Sequence, residues 1–242
     1  MDAYKTLADV YDKLNPKEEI FKQKPLFETL VDKYKVKTVL DCACGTGWHL
    51  KLFKDMGLEV YGSDLSPDML EKASSNLQDG SVELKELDYR NLGDWNKQFD
   101  MVGCLTTSLP YMTTAEDVVA ALNSMYEALN NGGILVISNG ISDALLDEKP
   151  KFIPGRLLDD DAFFFFMEYP DAKSVTFNIL YVGKKEKGFD YRFTSTTYNA
   201  MRKSVLEDAF SQTKFKTVNY YGDETLAPYD AKSPRLIVVA EK

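Results

Sequence analysis

The sequence predicts an α/β protein with a doubly wound, mostly parallel sheet of seven strands, and three observations support this prediction. Short apolar runs alternate strictly with helical segments between residues 38 and 138, which is typical of a parallel sheet with helices on both faces. The segments that follow are rich in aromatic and β-branched residues, a composition that favours antiparallel strands. Two final apolar runs add two strands to the five of the alternating part.

The alternating part begins after two predicted helical segments, over residues 5–14 and 18–35, which form an N-terminal helical cap over residues 1–35. Its five strands are expected where short apolar runs end at turn residues or acids, over residues 38–43, 58–64, 82–88, 99–105 and 134–138. Helices are expected between them over residues 48–56, 66–77 and 115–130. Ser66 and Pro67 suit the N-cap and first position of the second of these helices.

A strand-rich insertion is expected on the substrate side of the main sheet, over residues 139–199. Three segments of it should form antiparallel strands inserted into that sheet, over residues 161–169, 174–183 and 190–199. A helix over residues 201–213 and strands over residues 215–222 and 235–242 follow. We therefore expect a single domain over residues 1–242.

Composition limits the class of protein. The chain has 242 residues with a net charge of −9, and 44% of its residues are hydrophobic. This net negative charge disfavours binding to nucleic acid or to an anionic membrane, because both require a basic protein surface. No apolar run approaches the roughly 20 residues of a membrane span, and the opening residues lack a signal-peptide pattern. We expect a cytoplasmic protein without a nucleic-acid or membrane partner.

The cysteines and the single histidine do not indicate a metal centre. Cys42 and Cys44 have no histidine or second cysteine pair at ligand spacing, so buried thiols that pack as small apolar side chains are favoured over a metal site. His49 follows a glycine turn, where packing or a surface position is favoured over a role as general base.

Carboxylates end three neighbouring predicted strands. Asp41 precedes the turn Gly45-Thr46-Gly47, and Asp64 and Asp88 end the next two strands. Ligands of open parallel sheets bind at these carboxyl ends, and glycines let backbone N–H groups approach them closely. Leu50 replaces the third glycine of the dinucleotide-binding pattern. Three acids would repel a pyrophosphate and suit a ligand with a ribose, an amine and a positive centre.

Five motifs in residues 39–137 resemble the class I S-adenosylmethionine-dependent methyltransferases in order and spacing: VLDCACGTG, VYGSDLSPDML, LKELDYRNL, FDMVGCLTTSLPYM and LNNGGILVI. The resemblance implies an enzyme with a Rossmann-like methyltransferase fold and S-adenosylmethionine as cofactor. The sulfonium supplies an activated methyl group. The protein must align the nucleophile with the methyl group and exclude water.

The resemblance also implies roles for individual residues. The backbone of Gly45 and Gly47 would lie under the methionine part of the cofactor, and Asp41 would help to hold its ammonium group. Asp64 would bind both ribose hydroxyls, and Asp88 would accept a hydrogen bond from the adenine amino group. The rest of the implied set surrounds the adenine or forms the floor of the site, namely Ala43, Thr46, Leu65, Met69, Tyr89, Cys104 and Leu105.

Three residues are candidate catalytic groups. The segment YKTLADVYDKL resembles the opening of small-molecule methyltransferases that fold this helix over the cofactor, which would bring Tyr4 and Tyr11 near the methyl group. A helix that packs its aromatic face on the sheet is an equally open interpretation. Thr106 stands where the glycine and sarcosine N-methyltransferases have an asparagine.

The insertion resembles that of the glycine and sarcosine N-methyltransferases, but the carboxylate-binding residues differ. Those enzymes have Arg-Asn-Tyr-Asp after the fifth strand, where this chain has Gly140-Ile141-Ser142-Asp143. Because glycine cannot replace a guanidinium fork, we expect glycine to be a poor acceptor. Arg192, Arg202 or Arg235 could supply a guanidinium from another direction.

The sequence favours methyl transfer to a small-molecule acceptor, with an amine nitrogen preferred. The aromatic residues of the insertion either bury one face against a core or wall a site for a cationic amine, and the net charge favours an uncharged or cationic acceptor. Two alternatives stay open: a methyltransferase that acts on protein or RNA, and a non-catalytic cofactor-binding subunit. Whether the chain forms a homodimer also stays open.

Overall fold

A computed structural model of the chain describes residues 7–78 and 80–242. The strands of the described part are β1 Thr38–Asp41, β2 Glu59–Asp64, β3 Glu83–Glu86, β4 Phe99–Cys104, β5 Leu129–Asn139, β6 Phe152–Leu157, β7 Asp161–Glu168, β8 Ser174–Lys184, β9 Phe189–Asn199, β10 Thr217–Tyr221 and β11 Leu236–Glu241. Its α-helices are α1 Tyr11–Leu14, α2 Lys17–Phe21, α3 Lys24–Tyr34, α4 Trp48–Asp55, α5 Pro67–Leu77, α6 Ala115–Glu127, α7 Asp143–Glu148 and α8 Lys203–Phe210.

The main sheet has seven strands in the order β10-β11-β5-β4-β1-β2-β3, which confirms the predicted mostly parallel sheet. β1 pairs in parallel with β2 and β4, and only β11 and β10 run antiparallel to their neighbours. Strand order reverses beside β1, so the crevice for a ligand opens at the carboxyl ends of β1, β2 and β4.

The main sheet is buried on both faces. Successive β1 side chains pack into different clusters: Val39 lies against helices α3 and α4, and Leu40 lies against helices α6 and α8. This follows from the two-residue period of a strand. Ser66 caps α5 as predicted, because its side chain accepts a hydrogen bond from the backbone N–H of Met69.

The insertion differs from the prediction in two ways. It forms a separate antiparallel sheet in the order β6-β7-β8-β9 rather than adding strands to the main sheet, and it has four strands rather than three. The additional strand is β6, which contains Pro154 and Gly155 and lies at an edge. Proline lacks the N–H that an inner strand needs, which hides such an edge strand from a pattern search.

Two other boundaries differ from the prediction. The region predicted as helical over residues 18–35 divides into α2 and α3, because Pro25 starts a new helix at α3. β5 begins at Leu129, inside the helix expected over residues 115–130 and five residues before the strand expected over residues 134–138. The register between β4 and β5 shifts at this point, since Phe99 pairs with Leu129 and Met101 pairs with Ile134. The amide of Asn130 donates to the carboxylate of Asp100 (2.8 Å) beside this irregularity.

The N-terminal segment, residues 7–23, joins the two sheets. Leu7 and Val10 pack with Phe163 of the second sheet, and Lys13 forms an ion pair with Asp161 on the same sheet (2.7 Å). On its other side the segment reaches the turn after β1, as described below. No helix in the described residues is both long enough and apolar enough to cross a membrane.

Candidate active site

A cavity of about 140 Å³, the first cavity, lies at the switch point of the main sheet. Its walls come from the ends of β1 to β4 and from the N-terminal segment, and they include Ala43, Gly45, Thr46, Asp64, Leu65, Tyr89, Thr106 and Tyr11. The topology thus brings together residues that are far apart in the sequence.

The turn after β1 contains two glycines with different surroundings. Gly45 has φ +51°, and a Cβ there would meet no atom within 4 Å, so its backbone borders open space on the cavity wall. Gly47 has φ +83°, but a Cβ there would lie 3.0 Å from the Cβ of Ala73 on α5. Gly45 therefore exposes backbone to a ligand, whereas Gly47 lets α5 pack against the turn.

Asp64 fixes the geometry between the turn and the end of β2. Its carboxylate accepts hydrogen bonds from the backbone N–H groups of Gly45 (2.8 Å) and Ser66 (2.9 Å). The carboxylate also lines the first cavity. An acidic side chain at the end of β2 is therefore anchored by backbone N–H groups at the wall of the first cavity.

Asp41 is almost fully buried at the end of β1. One carboxylate oxygen accepts from the backbone N–H of Ala43 (3.3 Å), and the other has no hydrogen-bond partner in the described structure. Burial raises the pKa of Asp41 to about 7. A buried oxygen with unused acceptor capacity suits a donor such as an ammonium group.

Apolar side chains border the side of the first cavity nearest β2 and β3. Leu65 is 57% exposed although it is a large apolar residue, and Leu87 and Tyr89 line the same cavity. The Tyr89 hydroxyl donates to the backbone oxygen of Ser108 (3.2 Å). These side chains could enclose a planar ring such as adenine.

Some residues of the expected cofactor set do not line the first cavity. Asp88 caps the following turn and is held by the guanidinium of Arg90, which lowers its pKa and occupies both of its oxygens. The others are buried in the packing around the site: Asp41, Gly47, Met69, Cys104 and Leu105. Contact between these residues and a cofactor stays a prediction.

His49 is buried, lines the first cavity and lies 3.1 Å from the side-chain oxygen of Gln23. Burial lowers the pKa of His49 to about 4, with a smaller contribution from Arg235. This side chain is therefore neutral and a weak base at pH 7. Burial also raises the pKa of the Cys42 and Cys44 thiols, and no group of three potential ligands in the described part is arranged to hold a metal ion.

One aspartate that the sequence did not single out ties the N-terminal segment to the glycine turn. Asp12 accepts hydrogen bonds from the indole of Trp48 (3.0 Å) and from the amide of Asn76 (2.9 Å). The same Asn76 amide group donates to the backbone oxygen of Thr46 (2.9 Å). These contacts hold the segment over the first cavity.

A second cavity, of about 190 Å³, adjoins the first and shares Tyr11, Asn15 and Tyr111 with it. Its other walls come from the N-terminal segment and the inner face of the second sheet, and they are Leu7, Leu14, Phe165, Phe177, Ile179, Thr194, Thr196 and Tyr198. Every described residue of this lining is uncharged, and aromatic rings and hydroxyl groups predominate. The aromatic residues of the insertion divide between this wall and the solvent, since Tyr191 and Phe193 are exposed.

The candidate catalytic residues occupy different positions. Tyr11 lines both cavities, and burial raises the pKa of its hydroxyl well above the ordinary value. The hydroxyls of Tyr111 and Tyr198 lie 3.0 Å apart nearby. Thr106 is exposed at the rim of the first cavity with φ +55°, and Tyr4 lies outside the described residues.

Comparison with known proteins finds similarity to methyltransferases in both sequence and fold. The family described as a methyltransferase domain matches residues 39–133. A crystal structure of an S-adenosylmethionine-dependent methyltransferase from Clostridium acetobutylicum ATCC 824 has a TM-score of 0.84 at 17% sequence identity, with 99% of each chain covered. Residues 39–133 thus match a methyltransferase domain, and the chain shares the fold of the Clostridium acetobutylicum protein.

Two curated relatives resemble parts of the chain. A glycine/sarcosine N-methyltransferase from Parasynechococcus marenigrum (strain WH8102) is 33% identical over 50% of the chain and 44% of the relative. A dTDP-3-amino-3,4,6-trideoxy-alpha-D-glucopyranose N,N-dimethyltransferase from Streptomyces venezuelae is 36% identical over 43% of the chain and 42% of the relative. The matched part of the chain thus spans less than half of the length of these two relatives.

Proposed function

We propose that the chain is a methyltransferase, which transfers a methyl group from S-adenosylmethionine to an amine nitrogen of a small molecule. The observation that carries the proposal is the continuity of the two cavities, which share Tyr11, Asn15 and Tyr111. A cofactor in the first cavity would have its reactive end at this junction. An acceptor in the second cavity would then meet it with both molecules enclosed by protein.

The residues of the first cavity fit the proposed cofactor, which supplies the activated methyl group. Asp64 would accept hydrogen bonds from the ribose hydroxyls, and Gly45 lets backbone lie beside the methionine part. The buried Asp41 oxygen without a partner could pair with the cofactor's ammonium group. Leu65, with its exposed apolar side chain, would cover one face of the adenine.

The titration behaviour of the lining favours a nitrogen acceptor over an oxygen acceptor. An alcohol or phenol needs a base to remove its proton, whereas an amine reacts once it is neutral. Burial lowers the pKa of His49 to about 4, so this imidazole is a weak base at pH 7. Burial raises the pKa of the Tyr11 and Tyr198 hydroxyls, so both keep their protons at pH 7 and neither can accept another from an alcohol. An amine that enters the uncharged second cavity would favour its neutral form, because desolvation disfavours an ammonium ion.

The enclosure supports a small acceptor over a macromolecule. Asp12 and the ion pair between Lys13 and Asp161 hold the N-terminal segment between the two sheets. A protein or RNA chain would have to displace this segment to reach the junction. We also propose a cytoplasmic location and no nucleic-acid partner, on the basis of the net charge of −9.

A panel of amines, amino acids and phenols incubated with isotopically labelled cofactor would test the proposal by mass spectrometry. We expect labelled N-methyl products from some amines and none from the phenols. Tight cofactor binding without any product would favour the non-catalytic alternative, and methylation of added protein or RNA alone would favour a macromolecular acceptor. Glycine turnover comparable to that of the best amine would contradict the inference from the missing arginine.

A further inference from the structure

A third cavity, of about 510 Å³, lies beside the other two and has a different lining. It shares Asn15 with both, Thr106 with the first cavity and Leu14 with the second. Charged side chains that are absent from the second cavity also line it, namely Glu19, Lys22, Arg156, Glu224 and Arg235. A bound acceptor could therefore extend from the junction into a charged environment.

One cationic side chain of the third cavity, that of Arg156, forms no ion pair with a described carboxylate. Lys22 pairs with Glu19 at 2.9 Å, and Arg235 pairs with Glu224 at 2.8 Å. No described carboxylate forms an ion pair with Arg156, and its guanidinium donates no hydrogen bond to a described residue. Its Nε atom is nevertheless buried. A buried guanidinium N–H without an acceptor is costly unless a ligand supplies one.

A bulge in β6 directs Arg156 into this position. Ile153 pairs with Phe165 and Arg156 pairs with Phe163, so that Pro154 and Gly155 together oppose the single residue between them. In a regular strand Gly155 would share the inner face with Ile153. The extra residue places Arg156 on that face instead, and both side chains are half-buried.

The bulge depends on a close approach of backbone. A Cβ on Gly155 would lie 2.0 Å from the backbone oxygen of Phe163, so only glycine fits there without a shift of the strand. Bulges beside ligand sites commonly reorient a side chain. The sequence of β6 therefore presents one arginine, which has no hydrogen bond or ion pair with a described residue, to a cavity that adjoins the proposed transfer site.

We propose that the methyl acceptor carries an oxyanion, a carboxylate or a phosphate, that binds Arg156 in the third cavity while its amine lies at the junction. This inference rests on the proposed function and names the acceptor class more closely. Because Arg156 lines neither of the other cavities, a spacer must separate the anion from the amine. An α-amino acid as small as glycine is too short for both contacts.

The net charge of the whole chain does not oppose this site. At physiological ionic strength, exposed charges more than about 8 Å away are largely screened, so the nearest groups dominate. Arg235 adds a second guanidinium to the same cavity beside its partner Glu224. A planar guanidinium binds carboxylate or phosphate through paired N–H groups.

The first test measures binding of two probes, glutarate and pyrophosphate, by titration calorimetry at constant ionic strength. We expect the wild-type chain to bind at least one probe and Arg156→Gln to weaken that binding by about 10- to 100-fold. Arg202→Gln is the control, because Arg202 lies outside the three cavities and pairs with Asp147 (2.8 Å). Circular dichroism checks that each variant is folded.

Equal affinity in wild type and Arg156→Gln, an equal loss in Arg202→Gln, or no binding of either probe would overturn the proposal. Which probe binds separates a carboxylate from a phosphate. The readout does not depend on methyl transfer, so its failure is distinguishable from failure of the proposed function.

The second test compares matched acceptors, glucosamine with glucosamine 6-phosphate and glycine with γ-aminobutyrate. We expect the anionic or longer member of each pair to have the higher kcat/KM, and Arg156→Gln to remove the preference mainly through KM. If Arg156→Gln keeps the higher kcat/KM for the anionic or longer acceptors, another residue binds the anion and the inference is overturned.

Discussion

The first and second cavities meet at Tyr11 but differ in the chemical groups that line them. The first is formed by backbone at a glycine turn and by the carboxylate of Asp64 at the end of β2, within a mostly parallel sheet whose faces are both buried. The second is formed by side chains on one face of an antiparallel sheet, with aromatic rings and hydroxyls but no described charge. A site made from backbone geometry binds a constant ligand, whereas a site made from side chains can change its ligand by substitution.

We propose that the first cavity binds the cofactor and that the second and third cavities select the acceptor. Substitutions in the first cavity should then change cofactor affinity for every acceptor. Substitutions in the other two should change acceptor kinetics and leave cofactor affinity unchanged. The four predictions below test this division in order of decreasing effect.

The largest effect is expected for Asp64→Ala, which removes the carboxylate that anchors the turn and faces the first cavity. Loss of two charge-assisted hydrogen bonds to ribose should weaken cofactor binding at least ~100-fold, by calorimetry. Asp208→Ala is the matched control, because Asp208 is exposed on α8. Unchanged affinity in Asp64→Ala, with the fold intact by circular dichroism, would contradict the assignment of the first cavity.

The second effect concerns the pH dependence caused by Asp41. Its pKa is about 7 in the folded chain and near 3.8 when it is exposed. Between these values the folded state holds a proton that the unfolded state has released, so the Asp41 contribution to stability falls as pH rises from about 4 to about 7. Relative to Asp41→Asn, the free energy of unfolding of the wild type should fall by on the order of 3 kcal/mol across this window and then level off.

Urea unfolding of both proteins without cofactor, at several pH values, measures this difference. A flat difference between pH 4 and pH 7 would show that the Asp41 carboxyl is ordinary, and would remove the argument that it awaits an ammonium group.

The third effect separates the two roles of glycine in the turn. Gly47→Ala should destabilise the fold by about 2 kcal/mol, because it combines a left-handed residue with a contact to Ala73. Gly57 has the same φ of +83° but open space around a Cβ, so Gly57→Ala should show the backbone cost alone, about 1 kcal/mol. Equal losses, measured by urea unfolding, would mean that packing against α5 is not the reason for Gly47.

The smallest effect is expected for Tyr11→Phe, which removes a hydroxyl at the junction of the two cavities. Loss of one hydrogen bond to the acceptor should lower kcat/KM about tenfold and leave the cofactor affinity within about twofold. Tyr191→Phe, at an exposed position on β9, is the control and should resemble the wild type. A large loss of cofactor affinity in Tyr11→Phe would break the division between the cavities.

Local sequence signals located part of the first cavity better than they located the residues of the second and third cavities. Gly45 and Asp64, which line the first cavity, are local signals, because a glycine turn after a buried strand constrains the backbone within a few residues. Met69, Cys104 and Leu105 were grouped with them by motif, yet none of the three lines the first cavity. A motif gives the neighbourhood of a residue but not the direction in which its side chain points.

The residues that shape the acceptor side were the hardest to find. Asp12 meets Trp48 and Asn76, which are 36 and 64 positions away, and no local pattern records such a contact. Arg156 lies on an edge strand with a proline and a bulge, so neither the strand nor the direction of its side chain follows from two-residue alternation. The arginines considered from the sequence include Arg192, which pairs with Asp9 and Asp190 instead.

The sequence by itself determined the order of strands and helices, the switch point and the glycine turn with Asp64 beside it, because periodicity, caps and glycine turns act over short distances along the chain. Only the tertiary structure decided that the insertion forms a separate sheet, that the N-terminal segment lies between the two sheets, and that Arg156 faces the third cavity. These features depend on contacts between residues that are distant in sequence, where packing and register, rather than local conformational preference, select the arrangement.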